Sequence, residues 1–147
     1  MKSFLWIALL TLRATAISQI PPASNQAAAT EAFRAGRAAM EHNDLTRAHA
    51  EFAKVARLAP DVAAGHSALG AVLYAEGNPS AAIPELERAR SLDPKDSTAT
   101  LNLALSYSAL RAYDKSLPLF RELDSASTAF APSDLAAYAR ALDAAGD

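Results

Sequence analysis

The chain has 147 residues, 14 Lys and Arg against 16 Asp and Glu, and no cysteine. Its length suits one small domain or a short array of repeats. The formal net charge of -2 gives no basic field for a nucleic-acid partner, and the absence of cysteine excludes disulfides, thiolate metal sites, a cysteine nucleophile and a lipid-anchored N-terminal Cys.

The chain opens on what reads as an export signal over residues 1–18. Lys2 is its positive start, and residues 4–12 (FLWIALLTL) form an apolar run well short of a membrane span. Ala14-Thr15-Ala16 offers a small-x-small cleavage site, and Ile17-Ser18 keeps a later cut open. Arg13 truncates the apolar run, which favours a cleaved signal over a membrane anchor. The expected location is the periplasm or the extracellular medium. Residues 19–28 (QIPPASNQAA) carry Pro-Pro and no apolar period, and read as a flexible lead-in.

Residues 29–62 predict two helices. The first carries small residues, Ala32, Ala35, Gly36 and Ala39, that let a neighbour approach closely. His42-Asn43-Asp44 turns the chain, with Asp44 or Asn43 available to cap the second helix. That helix places Ala48, Phe52, Val55 and Leu58 inward and stops at Pro60.

Residues 63–96 repeat the pattern most clearly. Leu69, Gly70 and Leu73 share one helical face. Glu76-Gly77-Asn78-Pro79 breaks the helix, and Ala82, Leu86 and Ala89 continue the stripe until Pro94. Pro84 falls in the second turn of a helix capped by Asn78, and Pro118 falls at the same place one unit later. This recurrence predicts a locally opened helix start or a later cap. Glu85, Glu87, Arg88 and Arg90 read as a solvated face with the i,i+3 pairs Glu85–Arg88 and Glu87–Arg90.

Residues 97–131 form a third, degenerate unit. Leu103, Ala104, Tyr107, Tyr113, Ser116 and Phe120 keep the pattern, while Thr128 stands where Pro60 and Pro94 stand. From Pro132 one more helix is expected, starting at Ser133 or Asp134, with Leu135, Tyr138, Ala139 and Leu142 as its stripe. Residues 132–147 then read as the first helix of an incomplete fourth unit or as a capping helix.

A shift of 34 residues maps Gly36 on Gly70 on Ala104, Phe52 on Leu86 on Phe120, and Pro60 on Pro94. This period, with its small and large positions, resembles the tetratricopeptide repeat. The resemblance implies an all-α fold, a superhelical α-solenoid of antiparallel helix pairs. Ala32 stands where the family usually has a large aromatic, with Phe33 beside it.

The same resemblance implies a protein-binding groove lined by the first helix of every pair. Its positions here are Phe33, Arg34, Arg37 and Met40, then Ser67, Ala71 and Tyr74, then Leu101, Asn102, Leu105 and Ser108, with Arg140 next in line. The lysines and most asparagines of a carboxylate clamp are missing. The groove is basic near Arg34 and Arg37 and then small and apolar, which suits a mixed apolar and acidic peptide.

No phosphate loop, nucleophile elbow or metal-binding helix signature occurs. His42, His49 and His66 read as surface or packing residues. The expectation is therefore an exported adaptor or scaffold for a protein or peptide partner, with no catalysis, cofactor, metal, nucleic acid or small-molecule substrate. The membrane is met through the export signal alone. The alternative is the N-terminal repeat module of a longer exported protein whose activity lies beyond residue 147.

Overall fold

The computed structural model describes residues 23–126 and 128–146. The export signal and residues 19–22 lie outside the described residues. Within them the chain forms seven helices: α1 (Ala23–Glu41), α2 (Leu45–Leu58), α3 (Ala63–Ala75), α4 (Pro79–Leu92), α5 (Ser97–Ala109), α6 (Tyr113–Ser125) and α7 (Pro132–Ala145). There is no strand among the described residues.

Three helices, α2, α4 and α5, start on the same local chemistry. Asp44 accepts a hydrogen bond from Arg47 N–H at 3.0 Å, Asn78 from Ala81 N–H at 3.2 Å, and Asp96 from Ala99 N–H at 2.9 Å. Each satisfies an N–H group that the first helical turn leaves without an internal partner. The turn inside every unit holds one residue in the left-handed region: Asn43 at φ 55°, Gly77 at 79°, Arg111 at 59° and Gly146 at 77°. Glycine and asparagine tolerate this conformation, whereas Arg111 carries strain there.

The repeating core is built where the 34-residue period places it. Ala48, Phe52 and Val55 of α2 are buried, as are Ala82, Leu86 and Ala89 of α4 and Ser116, Phe120 and Leu123 of α6. Close approach within a pair depends on a small residue in its first helix. A Cβ on Gly70 would lie 2.4 Å from Leu86 Cγ, and one on Gly36 would lie 2.7 Å from Phe52 Cε1.

Three expectations are corrected. The flexible lead-in does not reach residue 28: α1 starts at Ala23, and Ala29 is buried at the end of that added stretch. Its alanines favour a helix without needing an apolar period. Pro84 and Pro118 neither open nor delay their helices. α4 runs from its Asn78 cap through Pro84, and α6 runs from Ala112 through Pro118. Both prolines are exposed, so water replaces the single backbone bond each removes. Leu58 is half-buried, and Ala59 beyond the helix end is the buried residue instead.

The pairs stack in order. α2 packs on α3, α4 on α5, and α6 on α7. Among the odd-numbered helices, α5 also packs directly on α3 and on α7. On the other layer, α4 reaches α6 through long side chains: Arg90 Nη2 donates to Glu122 Oε1 and Oε2 at 3.1 and 2.8 Å. A layer in direct contact and a layer bridged by long side chains cannot be equally wide, so the stack curves with the odd helices inside. An aromatic cluster anchors the last helix. Phe120 stacks on Tyr138 of α7 at 5.2 Å between centroids, and Phe130 meets both at 6.3 and 5.9 Å.

Candidate functional site

The inner face starts on α1. Phe33 is half-buried and meets the Phe52 ring edge-on at 5.5 Å. Its ring belongs to two concavities. One, of about 400 Å3, is bordered among the described residues by Thr30, Phe33, Arg34, Arg37, Ala38 and Glu41. The other, of about 290 Å3, runs from α1 (Gln26, Thr30, Phe33) to Val55, Val62 and Ala64. The first is basic and the second almost wholly apolar.

Charge on this face is uneven. Arg34 is exposed and pairs with Glu31 one turn earlier. Arg37 is exposed and makes no ion pair among the described residues. Met40 comes next, 37% exposed. On α3, Ala71 and Tyr74 are half-buried, and on α5 so are Leu101 and Asn102. Asn102 donates its amide to Thr98 C=O at 2.9 Å.

Three expected groove residues are not on the surface. Ser67, Leu105 and Ser108 are buried. Ser108 Oγ lies 3.5 Å from Ala137 C=O, in the seam between α5 and α7. α5 is flanked by an inner helix on each side, so positions that would face solvent on a lone pair are covered here. The structure thus leaves Phe33, Arg34, Arg37, Met40, Ala71, Tyr74, Leu101 and Asn102 at least partly open. Sequence reasoning missed the apolar cleft beside Phe33. Its signal was Val62, which stands just before a helix and remains 48% exposed.

The charged residues of α4 also differ from expectation. The pairs Glu85–Arg88 and Glu87–Arg90 are not what forms. Glu85 meets His66 Nδ1 at 2.7 Å, while His66 Nε2 faces Pro60 C=O at 3.0 Å. Arg88 donates to Asp61 at 2.9 Å and Arg90 to Glu122. Glu87 accepts the Tyr107 hydroxyl at 2.5 Å. Four side chains read as a solvated face instead tie α4 to its neighbours, because the stack brings other elements closer than the next turn. Burial, and then the Glu87 carboxylate, push the Tyr107 phenol up to about 12. Lys115 lies over the same ring at 5.3 Å from its centroid.

These contacts are structural in kind. His49 bonds Glu76 at 2.9 Å and His42 bonds Ala38 C=O at 2.8 Å. No group of three or more His, Asp and Glu residues is placed to hold a metal ion among the described residues. None of the described helices is long and apolar enough to cross a membrane.

Helix pairs with a 34-residue period, stacked with one helix of each inside, define an α-solenoid of helix-turn-helix repeats. The tetratricopeptide repeat family model matches residues 33–85 and 68–134. The chain belongs to the tetratricopeptide repeat family. Solved structures agree in fold. The chain is similar to the tetratricopeptide domain of Arabidopsis OM64, with a TM-score of 0.71, 18% identity, and coverage of 81% of this chain and 98% of that one. It is similar to the TPR2B domain of yeast Sti1 in its pHsp70 complex, with a TM-score of 0.69, 21% identity, and coverage of 80% and 98%. It is also similar to YrrB, described as having an unusual peptide-binding site, with a TM-score of 0.60, 26% identity, and coverage of 65% and 50%. No curated protein sequence matches the chain.

Proposed function

We propose that the chain is an exported adaptor that holds a segment of another protein along the face of α1, α3 and α5, without catalysis or cofactor. One observation carries this reading: Phe33, Arg37 and Tyr74 leave apolar and basic surface open on the inner helices. Arg37, which makes no ion pair among the described residues, borders the same concavity as Phe33 and favours a segment with an acidic group next to an apolar anchor. The neutral stretch over Ala71, Tyr74 and Leu101 suits apolar residues after it. The Sti1 domain in its pHsp70 complex and the YrrB peptide-binding site are further support from the same fold. Export rests on the sequence of residues 1–18 alone.

The test is capture from the native envelope or secreted fraction by residues 19–147. The Arg37→Glu/Tyr74→Ala variant should lose the partner. Arg57→Glu, exposed on α2, should keep it. Equal capture by all three baits refutes the reading.

A further inference from the structure

One row of the inner helices carries a cation at each end and is neutral between them. α3, α5 and α7 start at Ala63, Ser97 and Pro132, and the ninth residue of each is Ala71, Leu105 and Arg140. Arg37 of α1 stands 34 residues before Ala71, so Arg37, Ala71, Leu105 and Arg140 share one register along the stack. α3 and α5 hold no Asp, Glu, Lys or Arg, whereas α2, α4 and α6 carry four or five each. Arg37 and Arg140 are exposed, and neither makes an ion pair among the described residues. Glu41 and Asp143 lie one turn further along the same helices without pairing with them.

The geometry points to an extended partner segment with an acidic residue at each end and neutral, partly apolar residues between. This rests on the groove reading above and adds to it a second anchor, Arg140, and the spacing between the two. Packed helices lie about 8–10 Å apart, so the three steps from α1 to α7 span roughly 25–30 Å. An extended chain advances about 3.3 Å per residue, which sets the two acidic residues roughly eight positions apart. The floor between the arginines suits an extended backbone, whose N–H and C=O groups need partners. Asn102 donates its amide to Thr98 C=O, which leaves its Oδ1 as an acceptor. The hydroxyl of half-buried Tyr74 has no hydrogen-bond partner among the described residues. The chain's own residues 1–22 do not meet the description, because they contain no Asp or Glu.

The probe is a fluorescein-labelled peptide, Asp-(Ser-Leu)3-Ser-Asp, titrated with the 147-residue protein and read by anisotropy. Arg37→Gln and Arg140→Gln should each weaken binding about three- to fivefold, the upper range of an exposed ion pair. Both arginines are exposed, so helicity by circular dichroism should be unchanged. Replacing the first Asp of the peptide by Ser should abolish the response to one of these variants, and replacing the last Asp should abolish the response to the other. The shorter Asp-Ser-Leu-Ser-Asp spans about half the distance. It reaches one arginine at a time, so it should bind more weakly and lose no more than about twofold in either variant. Glu41→Gln and Asp143→Asn remove a like charge beside each anchor and should strengthen binding of the long peptide by up to about threefold. Equal binding by Arg140→Gln, or equal affinity for the short and long peptides, overturns the two-ended segment. Loss of binding in Tyr74→Ala alongside either result leaves the groove standing without its second anchor. No binding of the long peptide also overturns the two-ended segment, and the groove is then judged by its capture test alone.

Discussion

Gly70→Ala puts the tightest of the glycine sites among the described residues to the test. In an exposed helix this change stabilises by about 1 kcal/mol, because glycine loses more backbone entropy than alanine. Here the new Cβ would lie 2.4 Å from Leu86 Cγ, 2.6 Å from Leu86 Cδ2 and 3.3 Å from Ala82 C=O. Leu86 is fully buried, so its side chain has no free volume to enter. Overpacking of this kind costs about 1–3 kcal/mol. Subtracting the helix gain leaves a net loss of up to about 2 kcal/mol. The clash belongs to Leu86, so the sign must depend on it. In a Leu86→Ala background, itself costing about 2–5 kcal/mol, Gly70→Ala should become stabilising by up to about 1 kcal/mol. Urea unfolding of the wild type, both single variants and the double variant completes the cycle. A stabilising Gly70→Ala in the wild type, or no reversal in the double variant, refutes the reasoning.

Other consequences are equally direct. Arg111→Gly removes the strain of a left-handed non-glycine residue and should raise stability by about 0.5–1 kcal/mol in urea unfolding. Asn78→Ala removes the cap on Ala81 N–H and should cost about 1 kcal/mol by the same assay. Phe130→Ala strips one ring from the cluster around Tyr138, and amide exchange should quicken in α7 more than in α3. The raised phenol of Tyr107 favours the folded state only while protonated. Its stabilisation is full below pH 10 and disappears as pH rises toward about 12. Two pKa units correspond to at most about 2.7 kcal/mol, less any screening at the solvent side of Glu87. Absorbance titration near 295 nm should show one late phenol that Tyr107→Phe abolishes.

Much of the fold was legible because its signal is periodic. Gly70, Leu86 and Phe120 must recur for pairs to pack, so a fixed period exposes them together. The caps were legible because Asp and Asn before a helix have a local task. What was not legible depends on elements distant in sequence. Glu87 and Arg90 have partners one turn away on paper, yet the stack offers Tyr107 and Glu122. Leu105 and Ser108 occupy groove positions on a lone helix pair, but neighbouring inner helices cover α5 on both sides. The start of α1 escaped notice because its alanines form a helix without marking a face. The cleft beside Phe33 arises from three segments, and no single stretch announces it.

Site-resolved crosslinking bears most directly on the proposed groove. A photoreactive benzoylphenylalanine is placed at Ala71 on the inner face, or at Arg57 on the outer layer, and irradiated in the native fraction. The account predicts an adduct with one partner from Ala71, weakened by Arg37→Glu, and none with that partner from Arg57. The same partner captured from Arg57 and not from Ala71 would contradict it.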